Sequence, residues 1–234
     1  MISISELRKS FGKLDVLRGV SLDIPKGQST GIVGPNGAGK TTLIKSILGL
    51  TRPDSGSIFI NEIQLNGKSD YRNDIGYMPQ VARYPETMRV RELLDFIKGL
   101  RRQDAVHEQE LIEQFNLGPE LDKMLRNLSG GNRQKVGATI SMMFDPSILF
   151  FDEPTAGLDP RASARFKQRV EMEKSRGKTV FITSHIMSEL EQLVDYVIFI
   201  LDGNVRYYGP VDELLKSSGE VRLENAIAQM MDES

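Results

Sequence analysis

The chain has 234 residues, with 30 lysines and arginines against 32 aspartates and glutamates, a formal net charge of −2 and no cysteine. The near balance of charge argues against bulk electrostatic binding to nucleic acid or to anionic lipid. The lack of cysteine excludes disulfides and thiolate metal sites. No apolar run approaches the length of a membrane span, and the first residues alternate as in a strand, so we expect a soluble, cytoplasmic protein that binds no nucleic acid.

The first third of the chain is dominated by strand patterns. Three strand-like runs precede residue 34, separated by polar turns at Gly12 and at Pro25–Gly27. Helical spacing follows over residues 42–50, and Gly49 is a suitable stop. Further strands are predicted at 57–60 and 75–78.

The pattern then changes twice. From about residue 85 to 124 helical spacing replaces strand patterning, with helices predicted to begin at the caps Thr87 and Asp104. From Ile148 to Leu201 strands and helices alternate, as in a parallel sheet covered by helices on both faces. The predicted fold class is α/β, with a parallel sheet, an N-terminal antiparallel β subdomain and an inserted helical lobe.

The segment Gly34–Thr41 fits G-x-x-x-x-G-K-[ST], the phosphate-binding loop of nucleotide hydrolases. It lies between a short β-branched run and a helical pattern, so it reads as strand, turn and helix. Glycines let successive N–H groups point inward, and the helix N-terminus adds positive potential. We expect Lys40 to reach the β- and γ-phosphates of ATP, Thr41 to bind Mg²⁺ and Thr42 to contact the α-phosphate. The residues assigned to phosphate binding are Gly34, Asn36, Gly37, Gly39, Lys40, Thr41 and Thr42.

Two carboxylates follow the apolar run that starts at Ile148. Alternation should send Asp152 and Glu153 in different directions. Asp152 then suits the magnesium shell, and Glu153 suits orientation and partial deprotonation of an attacking water. The alternative is that both merely cap the turn before Pro154.

A second glycine-rich cradle, Leu128–Asn132, stands where the helical lobe ends and a new helix begins. Ser129 and two glycines at a helix N-terminus make an anion site from exposed N–H groups and the helix dipole. Taken alone, this segment is more simply explained as a helix cap, with Ser129 as the capping residue.

With these three segments in order, nearly the whole chain resembles the ATP-binding cassette (ABC) family, the ATPase subunits of membrane transporters. Gly34–Thr41 looks like its Walker A motif, Ile148–Glu153 its Walker B motif with the catalytic glutamate, and Leu128–Asn132 its signature. The resemblance also implies four smaller assignments: Gln80 as the Q-loop glutamine, Asp159 in the D-loop, His185 as the switch histidine and Phe11 as the aromatic that stacks on adenine.

Alternatives remain for the single residues. Phe11 alone could be core at a strand end, Gln80 any loop amide, and His185 a structural histidine. His107, in the polar helical lobe, is assigned to a solvated face. Asn132 stands where the family usually has glutamine. Because asparagine is shorter but keeps the amide, the γ-phosphate contacts of Ser129 and Gly131 should survive. Phe11 stands where tyrosine is commoner and lacks only the hydroxyl.

The resemblance implies one ATPase domain over residues 1–234. Its core, including the β subdomain, would be 1–84 and 129–210, its inserted helical lobe 85–128 and its helical tail 211–234. It further implies a head-to-tail homodimer in which the Walker A of one chain and the signature of the other enclose each ATP. Mg²⁺ would be held by Thr41, Gln80 and Asp152, while Glu153 and His185 position water and γ-phosphate.

The partner implied is a membrane permease on a separate chain, which would hold this subunit at the inner face of the cell membrane. The docking surface is predicted in the groove between lobes, at residues 81–85, where Arg83 and Tyr84 would be exposed anchors; an ordinary surface loop is the alternative. The tail at 222–227 is similar to ATPases that pair with type-2 exporter permeases, and 77–85 to those that serve copper-site maturation of nitrous-oxide reductase.

Two other functions compete. A non-transport cassette ATPase of translation or DNA repair would carry a second cassette or long coiled coils, and this chain shows neither pattern. A phosphate-loop kinase would leave the Leu128–Asn132 segment and His185 without a role.

Overall fold

The computed structural model describes residues 1–65, 67 and 70–232. The strands are β1 (Ile2–Phe11), β2 (Leu14–Ile24), β3 (Ser29–Val33), β4 (Ser55–Ile60), β5 (Ile63–Gln64), β6 (Ile75–Met78), β7 (Ile148–Asp152), β8 (Thr179–Thr183), β9 (Tyr196–Leu201) and β10 (Asn204–Pro210). The α-helices are α1 (Lys40–Ile47), α2 (Val90–Arg101), α3 (Glu108–Gln114), α4 (Gly130–Met142), α5 (Pro160–Ser175), α6 (Met187–Leu193), α7 (Val211–Ser218) and α8 (Leu223–Asp232). The chain forms two compact units, residues 1–72 with 179–234 and residues 73–178.

The first unit contains an antiparallel sheet of strand order β2-β1-β4-β5. The alternating apolar residues of β1, Ile2, Ile4 and Leu7, are all buried. They lie on one face because successive side chains of a strand point to opposite sides. The predicted antiparallel β subdomain is confirmed.

The same unit contains parallel strands that carry the first functional loop. Both β8 and β9 pair in parallel with β3, and β10 closes a hairpin on β9. Every residue of β3 is buried. Gly31 allows helix α6 to pack closely, because an added Cβ would lie 2.8 Å from Leu190 Cδ2.

The second unit combines the parallel pair β6 and β7 with helices α2 to α5. In that pair Ile75 lies opposite Ile148 and Met78 opposite Phe151. Helix α4 packs closely against β6, and a Cβ on Gly76 would overlap the carbonyl oxygen of Ser141. The α/β fold class is confirmed.

The first two helices in this unit begin two and three residues later than predicted, with caps at Arg89 and His107 instead of Thr87 and Asp104. Helix α2 begins at Val90, because Arg89 pairs as a β-bridge with Met124 and stays extended. The Glu92 carboxylate then accepts the N–H of Arg89 at 2.8 Å. Helix α3 begins at Glu108, after a turn in which the His107 N–H donates to the carbonyl of Met143.

The assignment of His107 to a solvated face is also wrong. Its Nδ1 lies 2.9 Å from Glu110 and its Nε2 3.3 Å from Asp145. Lys178 lies 2.6 Å from the same Asp145 carboxylate. Burial alone would raise the pKa of Asp145, but the hydrogen bond and charge of Lys178 outweigh it and hold that pKa below its ordinary value.

Two glycines in this unit should respond to alanine in opposite ways. Gly76→Ala should destabilise the protein by about 1–3 kcal/mol or more, because the methyl group meets backbone. Gly137→Ala should stabilise it by about 0.5–1 kcal/mol, because the nearest atom, the Tyr84 hydroxyl, lies at an ordinary 3.5 Å and alanine favours a helix. Urea unfolding measures both. Equal changes in the two variants would contradict this packing.

Candidate active site

The loop at residues 34–39 leaves β3 and ends where α1 begins. Gly34 and Gly39 have φ angles of +148° and +110°, which side-chain-bearing residues rarely adopt. A Cβ on Gly34 would overlap the carbonyl oxygen of Ile200, and one on Gly39 would lie 2.8 Å from that of Val16. Glycine is therefore required at both positions for the loop to take this path.

The positive groups of this loop gather at its end. Lys40 Nζ donates to the carbonyl oxygens of Gly34 at 2.6 Å and Pro35 at 3.0 Å, so the ammonium is held over the loop. The first N–H groups of α1 have no partner within the helix and lie at the positive end of its dipole. Thr41 is exposed beside them. This cradle fits a polyphosphate.

Phe11 ends β1 with 54% of its surface exposed, so the interpretation as core is wrong. The ammonium of Lys9 lies 5.3 Å from the ring centroid. The same ammonium forms an ion pair with Asp54 at 2.8 Å. An accessible π face of this kind suits a flat aromatic ligand.

His185 lies two residues beyond the end of β8 and is exposed. Its neighbour Ser184 is buried, and the Ser184 hydroxyl accepts the N–H of Ile186 at 3.0 Å. This turn fixes the backbone on either side of the histidine.

In the second unit, Gln80 lies two residues beyond the end of β6, and Asp152 is the last residue of the neighbouring parallel strand β7. Asp152 is buried, with 8% of its surface exposed. Burial, and then the charge of Asp152, raise the pKa of Tyr77 to about 12.

Glu153 does not continue the strand. Its φ of +53° is left-handed, a strained conformation of roughly 1–3 kcal/mol for a residue other than glycine. The Ala156 N–H donates back to the Glu153 carbonyl at 3.2 Å, which closes the turn. The direction of the Glu153 side chain is therefore set by this turn and not by the alternation of side chains along the strand.

The predicted cradle at Leu128–Asn132 forms the start of α4. The Ser129 hydroxyl accepts the N–H of Asn132 at 3.2 Å, so the expected helix cap is present. Ser129 and Gly130 are exposed. A Cβ on Gly131 would lie 2.9 Å from the carbonyl oxygen of Gly157, so the loop after Glu153 leaves no room for a side chain at this position.

Asp159 caps helix α5. Its carboxylate accepts the N–H groups of Arg161 and Ala162, each at 2.9 Å. The bond from Ala162, and then that from Arg161, hold the pKa of Asp159 below its ordinary value, and the charge of Lys135 acts in the same direction.

Sequence reasoning missed Lys135. Its ammonium donates to the Asn132 side-chain oxygen at 3.2 Å and so orients the amide of the second cradle. The available signal was its position three residues beyond Asn132 in a predicted helix, which places both side chains on one face. Tyr84, predicted as an exposed anchor, is instead half-buried, and burial raises its pKa to about 12.

The oxygen groups assigned to Mg²⁺ are chemically suited to it. Thr41 supplies a hydroxyl, Asp152 a carboxylate and Gln80 an amide oxygen, all hard donors. Among residues 1–65, 67 and 70–232, no three histidines, aspartates or glutamates gather into a metal site.

Comparison with known proteins decides the family. The family profile described as "ABC transporter" matches residues 17–156 of this chain. The chain belongs to the ABC transporter family. Within that family it is an ATP-binding subunit and an ATPase.

Its relatives cover almost its full length. A lantibiotic transport ATP-binding protein of Streptococcus pyogenes is 35% identical over 88% of this chain and 89% of its own. The Nod factor export ATP-binding protein I of Burkholderia lata is 36% identical over 92% and 73%. A solved ATP-binding subunit of an ABC transporter is 27% identical, covers 99% of both chains and superposes with a TM-score of 0.91. None of the helices in the described part of this ABC subunit is long and apolar enough to cross a membrane.

The cap at Asp159 should make stability depend on pH. Because its pKa is lowered on folding, the ionised carboxylate stabilises the fold above about pH 4 and loses this effect as pH falls through the folded pKa. Asp159→Ala should therefore lower the melting temperature at pH 7, and the gap from wild type should shrink below pH 4.

Asp159→Asn serves as the control, since its side-chain oxygen still caps the helix without charge. It should lie between the other two proteins at pH 7. A wild-type-to-alanine gap that stays constant from pH 7 to pH 3 would contradict the assignment.

Proposed function

We propose that this ATPase works as a head-to-tail homodimer that binds two ATP molecules and drives a separate membrane permease. Each ATP would lie between the Gly34–Thr42 cradle of one copy and the Ser129–Gly131 cradle of the other. An isologous dimer about a two-fold axis brings each half-site onto the complementary half-site of the other copy, so both sites are completed at once.

One observation carries this proposal. The cradle at the start of α4 faces solvent, with Ser129 and Gly130 exposed, and its backbone is held by the Ser129 cap. A built and outward-facing phosphate site suits a ligand carried by a second copy of the chain.

The residues of the first unit would bind and orient the nucleotide. Lys40 would exchange its bonds to the loop carbonyls for the β- and γ-phosphates, as a point charge. Asn36, Gly37, Gly39 and Thr42 would supply further phosphate contacts, and Phe11 would stack on adenine. His185 would hydrogen-bond the γ-phosphate.

The residues of the second unit would serve the chemistry. Asp152, Gln80 and Thr41 would hold Mg²⁺, which neutralises charge on the phosphates when bound. Glu153 would orient the attacking water and accept its proton. Asp159 would join the site through the D-loop.

Three observations support a transport role and outward direction. The relatives named above are a lantibiotic transport protein and a Nod factor export protein, and a third is a daunorubicin resistance ATP-binding protein of Streptomyces coeruleorubidus. The tail forms the helix α8 expected of exporter-type subunits. At residues 81–85, Val81 is 71% exposed and Arg83 is exposed, so these two side chains would be the permease anchors. This partner would place the subunit at the inner face of the membrane; the copper-site resemblance stays a prediction.

The Glu153→Gln variant tests the mechanism. Loss of the general base should lower ATP turnover by about 10²–10⁴-fold and leave binding intact, so the variant should accumulate as an ATP-bound dimer. Size-exclusion chromatography with light scattering, in ATP and magnesium, measures this directly.

Wild-type turnover should rise faster than linearly with protein concentration, since two copies complete each site. Native-rate hydrolysis by Glu153→Gln would refute the assignment of the base. Linear turnover without any ATP-dependent dimer would refute the sandwich, and transfer of phosphate to an acceptor other than water would favour a kinase.

The adenine platform has its own test. Phe11→Ala should raise the KM for ATP roughly tenfold, because stacking on an aromatic ring contributes about 1–3 kcal/mol per base. Phe11→Tyr should behave as wild type. Leu14→Ala is the matched control, since Leu14 is the exposed cross-strand partner of Phe11. An unchanged KM in Phe11→Ala would remove Phe11 from the site.

A further inference from the structure

The end of β1 that carries Phe11 extends beyond one of its two neighbouring strands. On one side β2 pairs with β1 as far as Phe11, which lies opposite Leu14. On the other side β4 begins at Ser55, opposite Arg8. The ladder with β4 therefore stops three residues before Phe11 and does not reach residues 9–11.

Asp54, the residue before β4, continues the pairing where that ladder stops. Its N–H donates to the Arg8 carbonyl at 2.9 Å. One oxygen of its carboxylate accepts the N–H of Ser10 at 2.6 Å, and the other accepts the ammonium of Lys9 at 2.8 Å. The bond from Lys9, and then that from Ser10, hold the pKa of Asp54 below its ordinary value, so the carboxylate is ionised at neutral pH. This one residue thus binds three consecutive residues of β1.

The ammonium held by Asp54 lies over the ring of Phe11. Lys9 and Phe11 are two residues apart, so their side chains share one face of β1. The ammonium is 5.3 Å from the ring centroid, within the range of a cation–π contact. The Lys9 side chain is only 15% exposed, whereas 54% of the surface of Phe11 is exposed. One face of the ring is therefore covered by a fixed charge, and the opposite face stays accessible.

A charge in this place affects both the position and the electronic character of the ring. The faces of an aromatic ring are negative, so two stacked rings repel each other electrostatically. An ammonium on one face attracts π density toward itself and makes the opposite face less negative. The accessible face of Phe11 thereby becomes a better stacking surface for an electron-rich base.

We propose that Asp54 and Lys9 are positioning residues that hold the ring of Phe11 with its accessible face toward the adenine of ATP. Both act through the ring and not by contact with the nucleotide. The consequence for nucleotide binding rests on the proposed function, in which Phe11 stacks on adenine, whereas the fastening of the ring does not.

The experiment compares ligands with and without a base. Isothermal titration calorimetry measures the Kd for ADP and for inorganic pyrophosphate. Lys9→Met, which keeps the length of the side chain and loses its charge, should raise the Kd for ADP about two- to fivefold, the ratio that corresponds to a cation–π contact of about 0.5–1 kcal/mol. Asp54→Ala, which releases Lys9 and Ser10 together, should raise it at least as much. The Kd for pyrophosphate should stay at the wild-type value in both variants.

Two control variants separate this contact from a general effect of charge. Lys9→Arg keeps a cation that can pair with Asp54, so it should bind ADP as wild type does. Lys26→Met removes the same charge at an exposed position beyond the far end of β2 and should also match wild type. An unchanged Kd for ADP in Lys9→Met and Asp54→Ala, or equal rises for ADP and pyrophosphate, would overturn the proposal.

Double variants test whether the two residues act through the ring. In a Phe11→Ala background, Lys9→Met and Asp54→Ala should add nothing to the rise in the Kd for ADP, because the group that they position is gone. In ATP turnover, Lys9→Met should raise KM and change kcat by less than about twofold, since contact with the base is the same in the ground and transition states. Fully additive losses in the double variants would overturn a positioning role.

The ring can also be followed without any nucleotide. In the NMR spectrum of protein with isotopically labelled lysine, the ring current of Phe11 should shift the ε-methylene protons of Lys9 upfield. Phe11→Leu and Asp54→Ala should each abolish this shift, and its absence from wild type would overturn the fastening. If Phe11→Ala binds ADP as wild type does, the adenine platform of the proposed function fails, and the NMR shift still decides whether Asp54 and Lys9 hold the ring.

Discussion

Parallel pairing between buried strands is the constraint that gathers the functional residues of each unit. In a parallel ladder the carboxyl ends of neighbouring strands lie at one edge of the sheet. Strands β3 and β8 form such a pair in the first unit, and β6 and β7 in the second. Because every residue of β3, β7 and β8 is buried, the loops that follow them are held by the core.

The loops that follow these strands are shaped mainly by contacts between backbone atoms. Gly34, Gly39 and Gly131 each lie against a carbonyl group that a side chain would displace or crowd. The strained turn at Glu153 turns the chain away from the strand. The few side chains that act through charge, Lys40 and Asp152 among them, then project from a backbone that has little freedom.

The second unit is further ordered by a buried charge network. The side chain of Arg169 is fully buried and lies 2.6 Å from Glu173 and 2.5 Å from Glu110. Such pairs add little net stability over apolar packing, but removal of one partner leaves a buried charge and costs about 3–5 kcal/mol. The network joins the start of α3 to α5, the helix that Asp159 caps, so it fixes the register between these helices.

Local patterns in the sequence predicted much of this protein correctly. The strand predicted at 75–78 has the bounds of β6, and strands and helices alternate from Ile148 to Leu201 as predicted, because apolar runs between turn residues are a local signal. The phosphate loop and the cap at Ser129 were recognised for the same reason: spacing within a few residues defines them. The resemblance to ABC ATPases added assignments for Phe11, Gln80, Asp159 and His185, whose roles stay predictions.

The tertiary structure decided the features that depend on contacts between residues far apart in the sequence. Helix α2 starts at Val90 because Arg89 pairs with Met124, and His107 is drawn into the charge network by Asp145. The bonds from Lys9 and Ser10 to Asp54 likewise join residues 45 and 44 positions apart. By itself the sequence determined the strands, the loops and their chemistry, since these depend on neighbours in the chain; the contacts that orient them depend on the fold, because their partners are adjacent only in space.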